Sequence, residues 1–377
     1  MSREEERLAR AALCRLSEPG DPRMATLVAD LGAVTVHQGL LGQRELGGVL
    51  SDVAERLAGI DPSRDLELAD RQGIRFVIPG DAEWPGQLGA LAHAGELQQR
   101  GGVPLGLWVR GPVRLDTLAG SVAVVGSRSA SSYGGDVARE MARVLAESGL
   151  PVISGAAFGI DQAAHRGALS GGGPTVAVMA CGVDRAYPTA HRDLLDHLAA
   201  HGAVVSEAAP GCAPMRIRFL SRNRLIAALT AATVVVEASI RSGALNTANW
   251  AARLNRHLLA VPGPVTSAQS QGVHQLIRTG GAMLATSGDD VLEVVGRPGE
   301  HLIAEPRAET RARDRLSQRD QMVLDAVPVV RSAKPDSIAR TAGVGLKEVA
   351  GALLRLQKRG MVERQNDGWV LAEAAKP

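Results

Sequence analysis

From residue 121 onward, short apolar runs alternate with stretches in which apolar residues recur at helical spacing. The runs SVAVV, PVIS, PTVAVM, GAVVS, ATVVV and HLLAV are apolar at consecutive positions, the pattern of strands covered on both faces. Each leads into small or polar residues and then a helical stretch, which predicts a parallel sheet with crossover helices. Residues 121–296 are therefore expected to form a Rossmann-like, doubly wound, mainly parallel sheet of the α/β class. Ahead of it, residues 1–65 carry amphipathic segments, PRMATLVADLG and RELGGVLSDVAERLAG, cut by Pro and Gly stops. They predict a small helical, SAM-like N-terminal domain. Residues 66–120 hold two short apolar runs, RFVIPG and PLGLWVRG, expected as edge strands or a connecting arm. A charged segment with Pro298 and Pro306, residues 297–316, predicts a linker. In residues 317–377, helical stretches over 318–326, 335–342 and up to Gly360 precede two strand-like runs about an Asp-Gly turn. That is the outline of a C-terminal winged helix.

Composition refines this picture in four ways. A chain of 377 residues, 45% hydrophobic and 22% charged, is folded and too long for one ordinary core. No apolar run reaches the roughly 18 residues that cross a bilayer, and the opening MSREEERLAR is charged rather than signal-like. A cytoplasmic protein without membrane contact is expected. Cys14, Cys181 and Cys212 are odd in number and far apart, which fits neither a disulfide framework nor a zinc-type ligand set, so no metal or cofactor is expected. A net charge of +2 does not make a general polyanion field. The local cluster Arg216, Arg218, Arg222 and Arg224, with no acid between, is the stronger electrostatic signal.

Candidate chemistry sits in the loops after the strands. Gly126-Ser127-Arg128 follows the first run and precedes a helix, a turn that presents N–H groups to an anion while Arg128 adds a charge-assisted contact. The second run ends in Ser154, Gly155, Phe158, Gly159 and Asp161. Neighbouring loops at strand C-termini share the crevice where α/β sheets bind ligands. Asp161 and His165, four residues apart, share a helix face; they read either as an acid–base pair or as a helix cap with a partner. Arg216 to Arg224 also contains Phe219 and Asn223, a combination suited to phosphate oxygens and an unpaired base, with Phe158 as a second stacking face. Arg222 to Arg224 could also form a structural ion-pair network with Asp161 or Glu237. Arg241, Ser242 and Gly243 make a third candidate anion loop ahead of another helix. The chain lacks GxGxxG with a ribose-binding acid, Walker A, HExxH and GxSxG, so no catalytic engine is visible.

In this order, VVGSR, the SGAAFGID loop with His165, ACGVDRAYP, VVSEAAPG, FLSRNRLIA, VVVEA with RSGALNTA, and AVPGPV with SQGVHQLIRTGGA resemble the DNA-processing A family (DprA, also called Smf). The resemblance covers Val122 to about Ala282. It implies a Rossmann-like core that binds single-stranded DNA, dimerises through the same domain, and recruits a RecA-type recombinase during natural transformation, with no established catalytic reaction. On this match Gly126, Ser127 and Arg128 form the phosphate turn, and Ser154, Gly155, Gly159, Asp161 and His165 shape the adjoining loop. Arg222, Asn223, Arg224, Ser242 and Gly243 complete the cleft. The chain departs from the family pattern at Phe158, where Arg is common, and at Leu220, where Pro is common. Two other readings of the residues are open. One is a small-nucleotide sensor or nucleotide-processing enzyme using the same loops. The other is a winged-helix transcription regulator reading DNA with residues 346–359, which carry Lys347, Arg355, Lys358 and Arg359.

Overall fold

The consecutive apolar runs become strands because each has helices to cover both of its faces. The computed structural model describes residues 2–42, 57, 59–302 and 312–376. Its two compact units are Met1–Ile303 and Ala304–Pro377. The strands of the first unit are β1 Ile74–Val77, β2 Leu107–Arg110, β3 Val122–Val125, β4 Val152–Ser154, β5 Thr175–Val178, β6 Ala203–Ser206, β7 Ala232–Val235, β8 His257–Ala260 and β9 Met283–Leu284. They form one sheet in the order β1-β2-β6-β5-β4-β3-β7-β8-β9. Every pair from β6 to β9 is parallel, whereas β1–β2 and β2–β6 are antiparallel. The mainly parallel α/β sheet expected from the sequence is present.

Side chains alternate across the sheet, as the pleat requires. Val122 and Val124 of β3 pack with the helices Ser132–Glu147 and Ile160–Ser170. Ala123 and Val125 pack with the helices Arg216–Leu229 and Gly243–Arg253. The RFVIPG and PLGLWVRG runs are sheet strands, with β1 at the edge.

Helices Arg3–Leu16, Pro22–Leu31, Ala33–Leu41 and Pro62–Arg71 lie in the N-terminal region. Most of the RELGGVLSDVAERLAG segment lies outside the described residues. Leu13, Met24 and Val36 share one core cluster with Phe76, Trp108, Ala177 and Val204. These helices are thus built into the same body as the sheet. A polar seam fastens the loop after the first helix to the helix Arg216–Leu229. Arg218 makes two 2.8 Å bonds to the Glu18 carboxylate, and Ser221 Oγ donates to Pro19 O. Arg224, wholly buried, makes paired bonds of 2.6 and 2.7 Å to Glu207, which also accepts from Gly20 N.

The second unit contains helices Gln318–Asp325, Pro335–Ala342 and Leu346–Lys358, followed by an antiparallel ribbon of β10 Val362–Gln365 and β11 Gly368–Leu371. Trp369 packs with Val349, Leu353 and Leu356 in its core. The ribbon turns one position earlier than the sequence suggests. Gln365 pairs with Gly368, so Asn366-Asp367 forms the turn, with Asn366 at φ 53. Gly368 is a strand residue, and it is glycine because a Cβ there would stand 2.8 Å from Ala333 O. Residues 303–311 of the segment read as a linker, Pro306 among them, lie outside the described residues.

The Arg224–Glu207 pair yields a stability prediction. Arg224→Ala leaves a buried carboxylate without its cation and is expected to cost about 3–5 kcal/mol, read as a fall in urea midpoint. The double replacement Arg224→Met with Glu207→Leu should recover most of that loss, because both desolvated charges are removed together.

Candidate functional site

The strand order reverses between β3 and β7, and the loops leaving these strands open a crevice there. A cleft of about 720 Å³ lies at this point. Gly126, Ser127 and Arg128 line it from the turn after β3, and Ala157 and Asp161 from the β4 loop and the first turn of the helix Ile160–Ser170. Arg216, Arg222 and Asn223 reach it from the helix Arg216–Leu229, and Arg241, Ser242 and Gly243 from the segment after β7. Three of the anticipated loops therefore do converge.

Two buried carboxylates hold the loops together. Glu237, at the end of β7, accepts from Ser131 N at 2.9 Å and Ser131 Oγ at 2.5 Å, while its carbonyl accepts from Ser127 N at 2.7 Å. The Ser127 N–H is thus already bonded within the protein. The β3 turn presents its hydroxyl and the Arg128 guanidinium to the cleft, not the full set of N–H groups expected of a phosphate turn. Glu237 pairs with no arginine of the cluster; it is a loop staple. Asp161 accepts from Gly155 N at 3.2 Å and Ala157 N at 3.4 Å, and its carboxylate stands 3.8 Å from Arg222. Burial pushes the Asp161 carboxyl upward, opposed by the charge of Arg222 and by the loop N–H groups.

Glycine is required at two points of this loop. A Cβ on Gly155 would fall 1.3 Å from Arg222 Nη1, so the guanidinium can cross the loop only where no side chain exists. Gly159 has φ 76, and its Cβ would stand 2.3 Å from Ser127 O. Ser154 is buried, with its hydroxyl donating to Val124 O at 2.7 Å. Ser154 and Gly159 support the site without lining the cleft.

The acid–base pairing of Asp161 with His165 is not formed. Thr175 Oγ1 donates to Val152 O at 2.7 Å and therefore accepts from His165 Nδ1, also at 2.7 Å. His165 is wholly buried, and burial lowers its pKa to about 3, so the imidazole is neutral and faces strand β5. Asp161 instead caps its own loop.

The arginine cluster divides. Arg218 is bound to Glu18 and Arg224 to Glu207. Arg222 is buried beside Asp161, and Arg216 is exposed at the cleft. Arg128, Arg216 and Arg241 are all exposed and make no ion pair among the described residues. Ser242 caps the helix Gly243–Arg253, accepting from Ala244 N, and that helix turns its positive end to the cleft.

One wall was not legible in the sequence. Asn223 Nδ2 donates to Asn246 Oδ1 at 3.2 Å, and Asn246 Nδ2 donates to Gln98 Oε1 at 3.1 Å. Gln98 and Gln99 both have positive φ, 53 and 59, in a tight turn closed by Leu97 and Arg100. Phe158 lies apart from the main cleft, 46% exposed, on a smaller cavity beside it.

A switch-point crevice rimmed by unpaired guanidinium groups and a helix N-terminus defines a Rossmann-like anion-binding protein. A family model described as DNA recombination-mediator protein A matches residues 75–296, and the chain belongs to that family. The chain is 44% identical to a Mycobacterium tuberculosis protein designated DprA, over 97% of this chain and 94% of the relative. Protein Smf of Escherichia coli is 33% identical over 79% of this chain and 78% of its own. The X-ray structure of DNA processing protein A from Streptococcus pneumoniae superposes with TM-score 0.62 at 32% identity, covering 78% of this chain and 98% of that one. That of Helicobacter pylori, described for its single-stranded DNA binding mode, gives TM-score 0.51 at 25% identity, covering 59% and 95%.

The buried imidazole of His165 predicts a pH effect. Its folded pKa of about 3 lies below the ordinary 6.5, so the unfolded chain binds the extra proton and stability is lost as pH falls from 6.5 toward 3. Unfolding free energies from urea titrations across that window should fall more steeply for wild type than for His165→Gln, by at most about 1.4 kcal/mol per pH unit.

Proposed function

We propose that the cleft binds single-stranded DNA and that the protein loads a RecA-type recombinase on it, the DNA-processing step of recombination and natural transformation. The observation that carries this reading is the set of three exposed guanidinium groups, Arg128, Arg216 and Arg241, with no ion-pair partner among the described residues, around one cleft. An exposed cation without an acid is available to a phosphate, and arginine forks match phosphate oxygens. Family membership and the single-stranded binding mode described for the Helicobacter pylori relative support the same polymer as ligand.

In this reading Arg128, Arg216, Arg222 and Arg241 meet phosphates, aided by Ser127, Asn223, Ser242 and Gly243. Gly126, Ser154, Gly155, Gly159, Asp161, His165, Arg218 and Arg224 fix the walls. The protein binds and delivers DNA without transforming it, acts in the cytoplasm, and works as a homodimer through the sheet-bearing unit. A dimer presents two tracks to one strand and gains avidity without new contacts. The C-terminal unit, with its three helices and a ribbon, is a winged-helix accessory module. Its Arg355 is bonded to Asp320 at 2.6 Å, which weakens the case for sequence-reading by this helix.

The test measures labelled single-stranded and duplex oligonucleotides against wild type and Arg128→Ala over a range of salt. Wild type should prefer the single strand, with affinity falling as salt rises. Arg128→Ala should bind about 10- to 100-fold more weakly, the loss of one charge-assisted contact, with a log–log salt slope shallower by about 0.7. Displacement of the strand by a mononucleotide that also raises the melting temperature would instead favour the small-nucleotide reading.

A further inference from the structure

The segment between Gly95 and Gly102 turns more tightly than its residues favour. Leu97 and Arg100 exchange backbone bonds of 2.9 and 3.1 Å, and the two residues between them, Gln98 and Gln99, have φ 53 and 59. A two-residue turn that is left-handed at both positions ordinarily carries Asn-Gly or a glycine pair. Two successive glutamines adopt it against their preference, and such a conformation persists only where the surroundings impose it. Here they do. Arg100 Nη1 donates to Pro19 O at 3.4 Å, Gly101 N to Gly20 O at 3.0 Å, and Gly102 O accepts from Arg224 Nε at 3.2 Å.

Only the first glutamine of the pair lines the cleft, although both are exposed. A row of amides fixes which way its carboxamide faces. Asn223 Nδ2 donates to the Gly243 carbonyl at 3.3 Å, an atom that can only accept, so the Asn223 amide cannot be reversed. The same nitrogen reaches Asn246 Oδ1 at 3.2 Å, which turns Asn246 Nδ2 toward Gln98 Oε1 at 3.1 Å. The row therefore ends on Gln98 Nε2, a donor with no hydrogen bond among the described residues.

Resting on the single-strand reading above, we infer that Gln98 is a strand-binding residue whose Nε2 donates to a backbone phosphate oxygen of the bound strand. Glutamine and asparagine amides contact phosphates as arginines do, without reading sequence. A neutral donor exerts no long-range pull, so it acts only once the strand is seated among the guanidinium groups. Asn246 is the positioning residue: by holding Oε1 it leaves the donor end of the amide to the cleft. The strained turn sets the glutamine within reach of that partner.

The experiment uses two single strands of equal length and charge, a thymidine oligomer and an oligomer of abasic deoxyribose phosphates. Both are titrated over a range of salt into the whole chain as wild type, Gln98→Ala, Gln98→Glu, Gln98→Lys and Gln99→Gly, with melting temperatures to check folding. Gln98→Ala should weaken both strands by about tenfold. Its log–log salt slope should match wild type, because a neutral contact releases no counterion. Gln98→Lys can donate to phosphate but cannot accept from Asn246, and it should bind more tightly than Gln98→Ala. Gln98→Glu can accept from Asn246 but cannot donate, and it should bind no better than Gln98→Ala. Gln99→Gly relaxes the turn, so it should raise the melting temperature and leave affinity unchanged. Wild-type affinity in Gln98→Ala overturns the contact while the cleft reading stands. Recovery by Gln98→Glu and not by Gln98→Lys makes Gln98 a mere prop for Asn246 and overturns it too. A loss confined to the thymidine oligomer overturns the phosphate as its partner. Gln99→Gly binding as weakly as Gln98→Ala assigns the effect to the shape of the turn and overturns the role of the amide. Binding of neither strand by wild type overturns the cleft reading and the role of Gln98 with it.

Discussion

The two bonds from Ser131 to the Glu237 carboxylate, together with the bond from Ser127 N to the Glu237 carbonyl, fasten the turn after β3 to the end of β7. These loops belong to strands that are neighbours in the sheet yet far apart in the chain; the β3–β7 ladder sets them side by side, and these bonds fix them as one lip of a crevice. Glu237 is 1% exposed, so its hydrogen bonds operate where water does not compete. The result is a rim whose backbone is set before any ligand arrives. A site prepared in this way loses little conformational freedom on binding. Asp161 does the same for the β4 loop by accepting two of its N–H groups and keeping Arg222 in reach.

The arginines of the helix Arg216–Leu229 illustrate how a run of like charge divides between structure and function. Arg224 points into the body of the protein, where only a paired and hydrogen-bonded cation is tolerable, and Glu207 meets it there. Arg218 reaches the N-terminal loop. Arg216 has neither partner and stays in solvent at the cleft. Helical geometry sends side chains three and four positions apart to one face and those two apart to different faces. The alternation of Arg216, Arg218, Arg222 and Arg224 therefore distributes them around the helix.

The sheet was legible because parallel strands are buried on both faces and so are written as unbroken apolar runs; VAVV and ATVV announce β3 and β7 directly. β9 was not, since it is two residues long and exposed. The converging loops were legible from their glycines, but the fates of individual polar groups were not. Arg218 and Glu18 stand two hundred positions apart, and no spacing rule joins them. The helical spacing of Asp161 and His165 correctly placed both on one helix, yet each found a better partner on another element: Thr175 for the imidazole, the loop N–H groups for the carboxylate. Gln98 enters the cleft from a turn whose sequence contains no chemistry of its own, through a chain of side-chain amides that only the folded form creates.

The contact between Glu18 and Arg218 has a meaning for the electrostatic character of the molecule. The N-terminal segment carries an anion to the very helix that lends the cleft its cations, and there it cancels one of them. Arg218 remains within the field of that helix whether or not Glu18 is present, but only in its absence would it act as a free positive charge. The helices ahead of the sheet thus serve as more than a brace: their connecting loop neutralises one charge of the arginine run outside the cleft and leaves Arg216, Arg222 and Asn223 as that helix's polar lining of it.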